Sequence, residues 1–247
     1  MKKHIPNIIT LGNLACGCVG LAFAHVGNIW GAALMVILAA VFDFFDGFAA
    51  RLLHVKSEIG AQLDSLSDLV SFGVLPAFIA HELFVLGSMH QEWSRLYFLN
   101  GANSWSLLVF VFALAGAYRL ARFNVTQSDS DEFRGLPIPA AGLYLSSFAL
   151  IYRFGLHSTP FSPELIETYA TSNIGLLVTA AALGLLMVSK VKLLTLKVSS
   201  FGLKGNEFRI VLILGSILLL IFFGVLAIQL IVLLYLLLSL IQNATVK

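Results

Sequence analysis

Residues 29–86 read IWGAALMVILAAVFDFFDGFAARLLHVKSEIGAQLDSLSDLVSFGVLPAFIAHELFVL. Two apolar runs, each of spanning length, flank a short polar turn at residues 54–58, and four aspartates are set into them: Asp43, Asp46, Asp64 and Asp68. An acid in a membrane helix costs about 2.5–3.5 kcal/mol at the centre and less toward the ends, so four on two successive helices require a compensating partner. Their spacing is i,i+3 and i,i+4, which puts each pair on one helix face. The short turn makes the helices antiparallel neighbours, so all four carboxylates can converge near one end. Converging carboxylates repel unless cations lie between them, and hard divalent ions with oxygen ligands, Mg²⁺ or Mn²⁺, meet that need. Gly47 and Ala50 share the face of Asp43, and Gly60 precedes Asp64 by one turn. Missing side chains there leave room for a flat, rigid group, and Arg51 at the membrane edge can meet a phosphate. One aspartate alone would suit an interhelical contact; four sharing faces with small residues point to a site.

The rest of the 247-residue chain fits a lipid solvent. It is 59% hydrophobic and 11% charged, with mean hydropathy +0.93, against about 25% charged residues in a soluble domain. The length suits one helical membrane domain with no soluble domain beside it, and no cleavable signal peptide is expected after Met1-Lys2-Lys3-His4. Cys16 and Cys18 point to different faces of one helix, so small-residue packing is expected of them, and neither a disulfide nor a metal site.

At about 20 residues per span, eight helices are expected: 8–26, 28–53, 59–86, 105–125, 137–154, 172–189, and the 208–241 stretch divided around Gly224. With the N-terminus cytoplasmic, thirteen of the 15 Lys and Arg residues fall on the cytoplasmic side and two, Arg95 and Arg153, on the other, as the positive-inside rule requires. Residues 190–209 form a basic cytoplasmic loop, read as an anchor on anionic headgroups. The expected division is a core over residues 1–190 and, over 191–247, that loop with a C-terminal transmembrane extension.

Written out, the acidic stretch is Asp43-x-x-Asp46-Gly47-x-x-Ala50-Arg51, eight residues, Gly60, three residues, Asp64, three residues, Asp68. It resembles the signature DxxDGxxARx8GxxxDxxxD of the CDP-alcohol phosphotransferases at every defined position. The resemblance implies an all-α polytopic bundle with a six-helix core around a polar cavity open to the cytoplasm, and two divalent metals held by Asp43, Asp46, Asp64 and Asp68. It further implies a cytidine lying against Gly47, Ala50 and Gly60, a diphosphate bridging the metals, Asp68 as general base, and a homodimer. In that chemistry an acceptor hydroxyl attacks the phosphorus bearing the diacylglycerol and CMP leaves. The family's setting implies an inner, cytoplasmic membrane with the site facing the cytoplasm.

Three further segments resemble those of phosphatidylserine synthases: Ile5-Pro6-Asn7-Ile-Ile-Thr10-Leu-Gly-Asn13, Tyr118-Arg119-Leu-Ala-Arg122-Phe123-Asn124, and Phe133-Arg134-Gly135-Leu-Pro137-Ile-Pro139. The acceptor this implies is L-serine, a zwitterion whose carboxylate wants a cation. Arg119, Arg122 and Arg134 are candidates, with bidentate geometry available to Arg122 and Arg134, and Asn124 can take the ammonium or a phosphate oxygen. These arginines also serve as positive-inside anchors. Asn7, Thr10 and Asn13 are candidates for the CDP-diacylglycerol side, with interfacial hydrogen bonding as the plainer reading; Arg51 belongs to the same group. Pro137 suits a helix N-terminus. His81, His90 and His157 are read as non-catalytic.

Glycerol 3-phosphate or inositol as acceptor stays open, since the same arginines would serve a second phosphate. An ion-coupled transporter would place acids near the midplane in repeated units. A membrane prenyltransferase would separate its aspartate motifs widely. Neither pattern is present in this sequence.

Overall fold

The computed structural model describes residues 4–55, 57–89, 97–99, 102–126, 135–158, 161–194 and 206–245. Arg134, Arg95 and His90 lie outside them, as does most of the 190–209 loop.

The described chain is a helix bundle. α1 (His4–His25) and α2 (Ile29–Leu52) form a hairpin at Gly27, whose φ is +81°. Asn28 caps α2 by accepting from the Gly31 amide at 3.1 Å. Buried Ala24, Ala32, Ala33, Val36 and Ala39 let neighbouring backbones approach, which is how membrane helices associate where lipid removes the hydrophobic drive. A turn through His54 leads to α3 (Glu58–Asp68), capped by Ser57, whose Oγ accepts from the Gly60 amide at 2.9 Å.

α3 does not continue as a regular helix. Residues Leu69–Val74 form a π-helical segment before α4 (Leu75–Met89) takes over. A short antiparallel ribbon pairs β1 (Tyr97–Leu99) with β2 (Ala102–Asn103), and a 3₁₀ turn (Ser104–Phe110) opens α5 (Val111–Thr126). α6 (Ile138–Ser158) starts directly after Pro137, as its fixed φ favours. α7 (Pro163–Ala170) is a short helix bent by 53° from α8 (Asn173–Val188).

The long C-terminal apolar stretch breaks where expected. α9 (Glu207–Phe223) ends at Gly224, with φ +51°, and α10 (Ala227–Thr245) runs back along it. The return is visible at Gly215 of α9, where a Cβ would stand 2.7 Å from the Leu234 side chain of α10.

Among the described residues five helical stretches are long and apolar enough to cross a membrane, or six with α7 and α8 as one bent span; residues 207–245 count once in that number. Bulky apolar side chains stand outward on the bundle, such as Leu114, Val178, Leu185, Ile221 and Phe222. Such a surface on helices of spanning length fits lipid, and the chain is a multi-pass membrane protein. Phe72, Phe112, Leu136, Ile138, Leu145, Phe148 and Met187 fill the interior.

Candidate active site

Asp43 lies nine residues before the end of α2, about 14 Å of helix rise, and Asp64 and Asp68 lie in the second half of antiparallel α3. One carboxylate oxygen each from Asp43, Asp64 and Asp68 falls within 4.8 Å of the others. The expected convergence is therefore present for these three. Asp46 stands beside the trio rather than in it. It is buried, its Oδ2 has no hydrogen-bond partner among the described residues, and its charge acts on Asp43, Asp64 and Asp68.

An oxygen-only donor set of this density, with one buried carboxylate oxygen unsatisfied, fits a hard divalent cation. Asp43, Asp64 and Asp68 could hold one such ion. It would neutralise the charge that the carboxylates cannot relieve among themselves.

Helix α1 closes one side. Asn13 is fully buried and its Nδ2 donates to Oδ1 of Asp68 at 3.1 Å. That bond fixes the carboxylate's orientation and leaves the second oxygen for chemistry. The Thr10 hydroxyl donates to Pro6 O at 3.0 Å and lies against Asp46. Asn7 meets the motif glycine: a Cβ on Gly60 would stand 3.0 Å from Asn7 Oδ1 and 2.8 Å from Ser57 Oγ. Gly60 is therefore small because α1 and the α3 cap press on it. Gly47 differs, since a Cβ there would find only Arg51 Nη1, at 3.9 Å. The space above Gly47 is open, with the exposed Arg51 at its rim.

The π-helical turn begins at the residue after Asp68. It is held between two glycines from neighbouring helices. A Cβ on Gly17 of α1 would lie 3.2 Å from the Ser71 backbone, and one on Gly142 of α6 would lie 2.7 Å from Phe72 O. Ser71 Oγ donates back to Ser67 O at 2.8 Å. A widened turn of this kind rotates the helix on its C-terminal side relative to the one on its N-terminal side, and such turns occur often at functional sites. Here it lets Asp64 and Asp68 face the site while Phe72 and Leu75 face the core.

Helix α5 closes the opposite side. Asn124 is paired to α3: its Nδ2 donates to Ser65 Oγ at 3.0 Å, and Ser65 Oγ lies 3.2 Å from Asn124 Oδ1. Asn124 is a candidate from sequence; Ser65 is not, nor is Gln62, whose Oε1 lies 3.5 Å from the same amide. Arg122 donates from Nη1 to Val188 O at the end of α8, at 3.0 Å. Arg119 is buried, and among the described residues its Nε has no hydrogen-bond partner.

Arg134 lies outside the described residues, but the glycine after it has a clear role. Gly135 has φ +75°, and a Cβ there would meet the carbonyls of Met187, Ser189 and Leu186. Its amide donates to Val191 O at 2.9 Å, and the Leu136 amide donates to Leu186 O at 3.1 Å.

His81 packs beside Phe78 and Phe110 with ring centroids 5.9 and 5.8 Å away, thirteen residues beyond Asp68. His157 has no described side chain. Cys16 and Cys18 are free thiols, one buried and one exposed.

The family model for CDP-alcohol phosphatidyltransferase matches residues 3–244. A CDP-diacylglycerol–serine O-phosphatidyltransferase of Bacillus subtilis (strain 168) is 36% identical over 150 residues, covering 61% of this chain and 77% of that one. The protein of that name from Methanocaldococcus jannaschii is 31% identical over 188 residues, 76% and 72% of the two chains. An archaetidylserine synthase of Methanothermobacter thermautotrophicus is 30% identical over 173 residues, 69% and 68%. With the whole signature in place and nearly the full length matched, the chain belongs to the CDP-alcohol phosphatidyltransferase family.

Proposed function

We propose that this chain transfers the phosphatidyl group of CDP-diacylglycerol to the side-chain hydroxyl of L-serine, giving phosphatidylserine and CMP. The observation that carries the reading is the meeting of Asp43, Asp64 and Asp68 within 4.8 Å on the family's own motif, near the end of a membrane bundle. Relatives of both lipid types bear names with serine as acceptor.

Two divalent ions, Mg²⁺ or Mn²⁺, are the proposed cofactors, held by the trio together with Asp46. Bound there, they supply charge neutralisation for a diphosphate. The residues do the rest. The open surface over Gly47, with Ala50 beside it, takes the flat cytidine, and Arg51 meets a phosphate oxygen at the rim. Asn7 and Thr10 border the same donor side. Asp68, aimed by Asn13, accepts the proton of the serine hydroxyl as its oxygen attacks the lipid-bearing phosphorus. The new P–O bond forms as the bond to the CMP oxygen breaks. Arg119, Arg122 and Arg134 supply the cations for the serine carboxylate, and Asn124 lines the acceptor side.

The site opens to the cytoplasm of an inner-membrane protein, the side that carries the basic loops. A homodimer is the proposed assembly, to be measured as the mass of the detergent-solubilised particle.

The test is CMP release by purified protein in detergent, with CDP-diacylglycerol, Mg²⁺ or Mn²⁺, and L-serine, glycerol 3-phosphate or inositol in separate reactions. Serine-dependent release with a new aminolipid supports the reading. Release with another acceptor keeps the chemistry and discards serine; none with any acceptor from folded, metal-loaded protein reopens the transporter reading.

A further inference from the structure

The apolar C-terminal pair of helices looks like an anchor, yet α10 carries a ladder of polar side chains on one face. Tyr235, Ser239 and Asn243 are spaced at four-residue steps, so they line up. All three bind one short segment after α8. Tyr235 OH donates to Leu194 O at 3.1 Å, Ser239 Oγ accepts from the Leu194 amide at 3.0 Å, and Asn243 Nδ2 donates to Lys192 O at 2.5 Å. Tyr235 and Ser239 are buried. Placing polar groups in a membrane helix is costly unless they are satisfied, and a plain anchor has no need of them.

The same segment is gripped from the other side by the acceptor machinery. Leu186 O and Val191 O accept the amides of Leu136 and Gly135, and Val188 O accepts from Arg122. Residues 186–194 thus form a crossbar between α5, the start of α6 and α10.

We propose that α10 is a wall of the acceptor site, latched to the 186–194 crossbar, and that Tyr235 is a positioning residue: its bond to Leu194 O holds the crossbar whose Val188 O anchors Arg122. This rests on the reading of Arg122 as an acceptor-side cation. It gives the C-terminal extension a part in acceptor recognition, whereas none of these latch bonds involves α1, α2 or α3, which carry the donor cradle.

The experiment compares full-length wild type, Tyr235→Phe and Asn243→Ala in detergent, reading kcat, KM for L-serine, KM for CDP-diacylglycerol and the thermal midpoint. Loss of the Tyr235 hydroxyl should raise the serine KM about five- to tenfold, the scale of one hydrogen bond, and leave the CDP-diacylglycerol KM unchanged. Asn243→Ala, at the exposed end of the ladder, should move the serine KM the same way by less. Wild-type serine KM in both folded variants, or an equal rise in both KM values, overturns the latch. Should Tyr235→Phe fail to fold, Asn243→Ala decides alone by the same criteria. Wild type that releases no CMP with serine overturns the acceptor reading itself, whereas active wild type with unaltered variants overturns only the latch.

Discussion

The Asn13 side chain donates to Oδ1 of Asp68 at 3.1 Å, joining the first helix to the last aspartate of the motif across 55 positions of sequence. Hydrogen bonds to charged groups contribute about 1.5–3 kcal/mol, so Asn13→Ala should lower kcat by roughly ten- to a hundredfold at saturating substrates. A merely structural Asn13 would instead lower the thermal midpoint and leave the turnover of the folded fraction intact. Measuring both separates the two.

The carboxylates should act as a unit. Asp43→Asn, Asp46→Asn, Asp64→Asn and Asp68→Asn should each nearly abolish turnover, with Asp68→Asn costing at least about a hundredfold as a lost general base. Each variant should still insert and purify as the same particle. Chelation of the wild type should remove activity, and Mg²⁺ or Mn²⁺ should restore it. Most activity surviving in Asp64→Asn would contradict the metal-site account.

Two glycines should respond in opposite ways. Around Gly47 there is open space, so Gly47→Ala should leave the thermal midpoint unchanged and raise the KM for CDP-diacylglycerol. Around Gly142 there is the backbone of Phe72, 2.7 Å from where the Cβ would stand. Gly142→Ala should therefore cost about 1–3 kcal/mol of stability, the scale of overpacking, seen as a lowered midpoint. If both variants were equally unstable, Gly47 would be a packing glycine and the donor cradle would lie elsewhere.

Arg134 is assigned to the acceptor by its place in the FRGLPIP segment. Arg134→Lys keeps the charge but loses the bidentate fork, so the serine KM should rise more than the CDP-diacylglycerol KM. Equal losses would move Arg134 to the donor side.

The four aspartates are legible in the sequence because a charge in a membrane helix stands out and its spacing fixes its face. The split at Gly224 is legible because the 208–241 stretch exceeds one span, and a glycine readily adopts the φ +51°, ψ −125° found there. The π-helical turn after Asp68 is not legible, since it arises from backbone approach by Gly17 and Gly142, which lie on other helices far away in sequence. Short α7 is invisible because eight residues give no spanning signal. Asn124 stands out by its type, but its partner Ser65 looks like any helix serine until the two helices meet. Asn13 reads from sequence as a donor-side residue, whereas its bond is to Asp68. Tyr235, Ser239 and Asn243 form a readable polar ladder in an apolar helix, a pattern hidden by the strength of the membrane signal around it.

In the proposed reaction the serine oxygen itself attacks the lipid-bearing phosphorus and displaces CMP. Its most direct test is turnover with L-serine carrying ¹⁸O in the side-chain hydroxyl, followed by mass spectrometry of both products. Full label is expected in the phosphatidylserine ester oxygen and none in CMP. Label in CMP, loss of label from the lipid, or no serine lipid at all would contradict it.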